Sequence, residues 1–266
     1  MTFMRLAPRL TPRLPPRLAP RLTPRLAPGL AMILSALLTL ANPALAEPLC
    51  AQPEGLALRD IALPMARRAV ARGHDLVILT LGGLMTQGAF VEDPAATYPA
   101  QLQTGLRAAL PGKTVTVING GKPGVTATDI PALMTAGLTK SQAQIVIWGP
   151  GGRDVALRLD QKEFQRAVDE GIAAARGNAD LILLDMTFVP SPNRMALIVP
   201  YRERLRRAAE DAGVPFLLRH DLMRAWAEDK TLNLDARREE DRKLVMRRLF
   251  ACTAQSLVPA IAAAVR

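Results

Sequence analysis

The stretch Leu76-Val77-Ile78-Leu79-Thr80-Leu81-Gly82-Gly83-Leu84-Met85-Thr86-Gln87-Gly88 decides how this chain folds. A short apolar run closed by a glycine pair reads as a buried strand entering a tight turn, since glycine lets the backbone reverse or approach a neighbour closely. The same grammar recurs downstream. Strands are expected at Leu76 to Leu81, Thr114 to Asn119, Gln144 to Trp148, Leu181 to Asp185 and Pro215 to Leu218, each followed by helical periodicity. Helices are expected at Tyr98 to Leu110, Ala127 to Leu138, Gln161 to Ala175, Pro200 to Ala212, His220 to Ala227, and near Phe250 to Val265. Strands alternating with helices define βαβ units and a parallel sheet.

Three strand ends discharge into glycine: Gly82-Gly83, then Gly120-Gly121 with Gly124, then Gly149, Gly151 and Gly152. In an open parallel sheet these ends share one pole, where ligands bind. Tight strand-to-helix turns want glycine in any case, so the clusters alone do not define a site. Neither G-x-G-x-x-G nor G-x-x-x-x-G-K-[ST] occurs, which disfavours a nucleotide-binding enzyme. No cofactor is implied.

Net charge is +10, but Arg5, Arg9, Arg13, Arg17, Arg21 and Arg25 lie in a leader without acids. Removing those six leaves 28 basic against 24 acidic residues, or +4, so the basic balance gives no argument for nucleic acid. The leader repeats Arg-Leu-x-Pro over residues 5 to 28, a pattern that forbids a helix. It runs into an apolar segment, Leu30 to Ala41, and ends in Ala44-Leu45-Ala46. This order reads as a secretory signal peptide over residues 1–46, followed by one domain over 47–266. The apolar run is shorter than the roughly 20 residues that span a bilayer, so no membrane span is expected after cleavage. The protein is therefore expected to be exported, to the periplasm or beyond. Cys50 and Cys252 read as a disulfide stapling the chain ends in that compartment; if the leader were not a signal, they would read as buried thiols.

The opening stretch resembles the G-D-S-L-T-x-G motif of the SGNH/GDSL hydrolases, with Leu84 where that family carries its nucleophilic serine. Two more blocks follow in the family's order. Asn119-Gly120-Gly121-Lys122-Pro123-Gly124 is similar to its N-x-G-x-x-G turn and puts the oxyanion-hole glycine on Gly124. Val146-Ile147-Trp148-Gly149-Pro150-Gly151-Gly152-Arg153-Asp154 is similar to V-I-W-x-x-G-T-N and puts Arg153 on the asparagine. An ungapped count back from Cys252 puts the family's D-x-x-H pair on Asp241 and Leu244, although Asp241 also reads as part of a solvated charged run, Arg237 to Lys243. The resemblance covers Cys50 to Arg266 and implies a three-layer α/β/α, flavodoxin-like fold with a five-stranded parallel sheet.

It also implies a degenerate catalytic set. Ester hydrolysis by this route needs a hydroxyl nucleophile, a base within about 3 Å and donors at the developing oxyanion. Leucine supplies none of these, and losing triad members costs several orders of magnitude in rate. Thr86 is the nearest hydroxyl, though a turn-capping role suits it better. His74 precedes the first strand, at the wrong pole. His220, beside Asp221, is the only histidine able to act as a base, with capping or packing as its plainer role.

Arg153 brings a cation with five N–H donors, suited to an anionic ligand unless it pairs with Asp154 or lies in solvent. The expected function is therefore non-catalytic binding of a small acyl, glycan or anionic ligand, with Gly83, Gly124 and Arg153 as contacts. An esterase using Thr86 and His220, or a structural partner in the envelope, is the alternative. Two distant histidines and paired cysteines offer no evident metal cluster.

Overall fold

A computed structural model describes residues 50–266; the expected signal peptide lies outside the described residues. The strands are β1 (Leu76–Gly82), β2 (Val115–Gly121), β3 (Ile145–Gly149), β4 (Asp180–Leu184) and β5 (Phe216–Leu217). They form one parallel sheet in the order β2-β1-β3-β4-β5. The helices are α1 (Pro64–Ala71), α2 (Leu84–Gln87), α3 (Tyr98–Ala109), α4 (Ile130–Ser141), α5 (Gly152–Leu157), α6 (Gln161–Ala175), α7 (Pro192–Ala212), α8 (Arg219–Glu228) and α9 (Glu239–Val265).

Successive strand residues point to opposite faces, so each strand feeds two cores. Leu76, Ile78, Ile145, Ile147, Ile182 and Leu184 belong to the core that includes residues of α1, α3, α8 and α9. Leu79, Leu81, Val146, Trp148, Leu181 and Leu183 belong to the core that includes residues of α4, α6 and α7. This is the three-layer arrangement, with helices on both faces of an all-parallel sheet. The chain crosses from one face to the other between β1 and β3, which are sheet neighbours, and there two strand ends diverge and leave a crevice.

Several element boundaries differ from the sequence expectation for identifiable reasons. Helix α7 begins at Pro192, not Pro200: both prolines suit a first turn, and Pro200 is carried inside the helix. Helix α9 begins at Glu239, well before Phe250, because the charged run is itself helical and its first turn holds Glu239, Glu240 and Asp241, favourable against the positive helix start. The segment at Ala127 opens with a 3₁₀ turn before α4. Strand β5 keeps only two residues, and the short α1 and α5 were not anticipated.

Cys50 and Cys252 are bonded, with Cα atoms 5.5 Å apart, joining the start of the described chain to α9. Trp226 Nε1 donates to the Ala51 carbonyl at 2.6 Å, and the Cys50 amide donates to Gln255 Oε1 at 3.4 Å. Among the described residues α9 alone is long and apolar enough to cross a membrane, but its apolar residues, Leu249, Phe250, Leu257 and Ile261 among them, are core.

Candidate functional site

A cleft of about 600 Å³ opens at the C-terminal ends of β1 and β3, at the crossover point of the sheet. Three glycine-bearing loops form one side of it, and the segment after β4, the start of α7 and Arg219 complete the wall. The first is the β1–α2 turn: Gly82 has φ +149°, where a Cβ would lie 2.5 Å from Thr86 Oγ1 and 2.9 Å from the Gly149 carbonyl. Only glycine lets the chain pass there. Leu84 then starts α2 with its side chain 52% exposed on the cleft wall.

Thr86, two residues on, is 1% exposed, and its hydroxyl donates to the Leu81 carbonyl at 3.5 Å. The turn's only hydroxyl thus folds back onto the strand it left. Tyr98, also nearby, is fully buried, and burial pushes its pKa up to about 12, which keeps that phenol protonated at neutral pH.

The second loop follows β2. Gly121 is so close to α2 that a Cβ there would meet the backbone of Thr86 and Gln87. The Lys122 amide donates to the Gly82 carbonyl at 2.8 Å, and Asn119 ties both segments, its Nδ2 donating to the Gln87 carbonyl at 3.2 Å and its Oδ1 accepting from the Gly121 amide at 3.0 Å. Gly124 lies on the cleft at φ +82°.

The third loop follows β3 and enters α5. Asp154 is 2% exposed, and its carboxylate accepts the Ala127 amide at 3.0 and 3.2 Å. Burial raises its pKa, partly offset by those backbone donors. Arg153 lines the cleft, is exposed, and pairs with no carboxylate among the described residues; the Asp154 partner considered for it is committed to Ala127.

The cleft thus gathers Gly83, Leu84, Thr86, Gly124 and Arg153. It does not include Asp241 or Leu244. Asp241 is exposed on the first turn of α9 and pairs with Arg238 at 3.6 Å, while Leu244 is 67% exposed. An ungapped count through a charged helical stretch carries no packing information, so it does not bring these two residues to the site. His220 does not line the cleft either. It is 3% exposed, packs edge-on to Phe188 at 5.4 Å between ring centroids, and has Nδ1 3.2 Å from Asp221 Oδ1. With Nδ1–H donating to that carboxylate, Nε2 is buried without a partner. Neither Thr86 nor His220 hydrogen-bonds the other.

Behind the cleft lies a polar cluster that sequence reasoning missed. Asp185, fully buried at the end of β4, has its pKa pushed up to about 6 by burial, opposed by Arg202, whose Nε donates to it at 2.7 Å. Arg202 also bonds Asp221. Burial would raise Asp221, but the His220 and Arg202 hydrogen bonds hold it below its ordinary value. Burial, and then Arg202, depresses His220. One ligand atom each of Asp185, His220 and Asp221 lies within 4.8 Å of the others, yet a metal ion there would have to displace the guanidinium that already bonds both carboxylates.

Arg219 is the other missed residue. It opens α8, one residue beyond the end of β5, is 6% exposed, lines the cleft, and donates from Nε to the Asp185 carbonyl at 2.8 Å. The sequence signal available for it was its place at the start of the segment after the fifth strand, at the pole where the other loops gather.

Residues 49–266 match the Non-GDSL lipase-like family, and the chain belongs to it. Among solved structures it is similar to LAE5, an α/β hydrolase enzyme from the metagenome of Lake Arreo, Spain, at 20% identity and a TM-score of 0.54, covering 72% of this chain and 96% of that one. It is similar to TesA at 18% identity and a TM-score of 0.54, covering 69% and 99%. A catalytic mutant of Axe2, an acetylxylan esterase from Geobacillus stearothermophilus, matches at 16% identity and a TM-score of 0.55, covering 70% and 94%. No curated protein matches the chain in sequence. The fold is also similar to that of AlinE4, a SGNH-hydrolase family esterase, at 21% identity and a TM-score of 0.50, covering 59% of this chain and 81% of that one.

Proposed function

We propose that this is an exported, non-catalytic member of its family, which uses the cleft at the sheet's crossover to hold a ligand without turning it over. The observation that carries this reading is the side chain at the head of the β1–α2 turn. Leu84 offers a hydrocarbon to the cleft, and the only hydroxyl of the turn itself, Thr86, is buried and donates to the Leu81 carbonyl. Acyl transfer needs a nucleophile bonded to a base that is oriented by a third group. His220 and Asp221 supply the latter two, but His220 Nε2 has no hydroxyl to act on. The disulfide joining the chain ends supports an oxidising compartment and hence export.

Assay of the purified protein on p-nitrophenyl acetate and butyrate tests the reading. The expected result is hydrolysis no faster than in buffer alone. Turnover abolished by Thr86→Ala or His220→Ala would establish an esterase with a rearranged catalytic set. Export is tested by fractionating cells that express the full chain: the processed form should appear outside the cytoplasm, and retention of the uncut chain inside would contradict it.

A further inference from the structure

Arg219 is a buried cation that pairs with no carboxylate among the described residues. Its Nε is spent on a backbone carbonyl, and its two terminal nitrogens donate to nothing among the described residues. Nor are they sealed in the core. Among the described residues the buried, unpartnered side-chain atoms are Tyr98 Oη, Trp148 Nε1 and His220 Nε2, and Arg219 contributes to the cleft wall. The guanidinium packs against Gly149, where a Cβ would lie 3.4 Å from Nη2, so the end of β3 leaves room for it. The nearest buried acid, Asp185, turns its carboxylate to Arg202.

A charge removed from water costs several kcal/mol unless paired, and arginine cannot shed its proton to escape. An arginine held in this way is therefore arranged for a negative group that enters from the cleft. The surroundings agree. Arg153, Arg158 and Arg194 also line the cleft, while its one carboxylate, Asp154, is committed to a backbone amide. The remaining wall is largely apolar. Leu84, Phe90 and Leu197, three of the six exposed large hydrophobic residues among those described, lie on it, 52%, 60% and 38% exposed. Exposed apolar side chains gathered on a cleft mark a binding surface.

We infer that the ligand is a carboxylate amphiphile, a fatty-acid-like molecule whose head takes the paired terminal nitrogens of Arg219 and whose alkyl tail lies against Leu84, Phe90 and Leu197. This deepens the proposed non-catalytic function and rests on it. A planar carboxylate matches the two parallel N–H donors of a guanidinium, and an apolar cleft strengthens that pairing by excluding water.

Calorimetric titration of the purified protein with laurate, 1-dodecanol and acetate tests the inference. Laurate should bind well below its micellar concentration, whereas dodecanol, lacking the charge, and acetate, lacking the tail, should each bind at least tenfold more weakly. Arg219→Gln should weaken laurate about tenfold or more and leave dodecanol unchanged, as loss of a charge-assisted pair requires. Should that variant fail to fold, Leu84→Asp, at a half-exposed position, places a like charge in the cleft and should weaken laurate at least several-fold with an unchanged circular dichroism spectrum.

Equal affinity for laurate and dodecanol, no laurate binding, or laurate binding insensitive to both substitutions would overturn the inference. The two readings fail separately. Absent laurate binding with absent ester turnover removes the ligand class and leaves the non-catalytic reading, whereas ester turnover with intact laurate binding does the reverse.

Discussion

Replacing both cysteines by alanine, in the double variant Cys50→Ala/Cys252→Ala, should strongly destabilise this chain without touching the cleft. The bond joins residues 202 apart in sequence. Closing a loop of that length removes enough freedom from the unfolded chain to stabilise the native state by about 5 kcal/mol in the chain-entropy account. A domain of ordinary stability has only about 5–15 kcal/mol in total. The native contacts around the bond do not substitute for it. The Cys50 amide bond to Gln255 and the Trp226 bond to Ala51 hold the strap in place only while the fold persists, and they place no restraint on the unfolded chain. Both sulfur atoms are also in the core, Cys50 2% and Cys252 0% exposed, so their removal adds a cavity cost of the same sign.

Urea unfolding followed by tryptophan fluorescence, with Trp148 and Trp226 both buried, reads the effect directly. At the usual urea dependence of about 1–3 kcal/mol per molar, the midpoint of the double variant should fall by about 2 M or more, and dithiothreitol should do the same to the parent. A loss below about 1 kcal/mol would mean instead that the bond does not restrain the unfolded chain.

Three further outcomes are expected. Gly121→Ala should cost about 1–3 kcal/mol in urea unfolding, since its Cβ would lie 2.6 Å from the Gln87 Cα and backbone must move to admit it; an effect near zero would show that α2 is free to shift. Leu84→Ser should leave both the unfolding midpoint and ester hydrolysis unchanged, because the position is half-exposed and no imidazole lines the cleft; a gain of turnover would place a base there. His220 is held below its ordinary value of 6.5, so its contribution to stability is present above that value and lost as pH falls, when the unfolded chain takes up the proton. Asp185, raised from 3.8 to about 6, acts oppositely, its contribution being lost as pH rises through that window. Relative to the parent, His220→Gln should therefore gain stability between about pH 7 and about pH 5 in paired urea titrations, and a constant difference would contradict the depressed histidine.

The sheet was legible because each strand carries its own signal. Leu76 to Leu81 is apolar and ends in glycine, and the same holds at Trp148-Gly149, so the order of elements and the pole where loops gather followed from local pattern. The three glycine-bearing blocks do line one cleft, for the same reason: each is tethered to a strand end. What the sequence hid depends on long-range contact. Asp241 and Leu244 were located by counting along a charged helix with no fixed partner in the core, and they lie away from the cleft. Arg219 and the Asp185–Arg202–Asp221–His220 cluster join elements 17 to 34 residues apart, and no local periodicity marks such pairs. The extra turns at the start of α7 and α9 were missed because Pro200 and the Arg237 to Lys243 run looked like helix boundaries and proved to be helix interior or first turn.

The central claim, that no activated nucleophile faces the cleft, is tested most directly by exposing the purified protein to an alkyl fluorophosphonate and measuring its intact mass. An unmodified chain is expected after an incubation that fully labels an active serine esterase. A stoichiometric adduct mapped to Thr86, or to any hydroxyl lining the cleft, would contradict it.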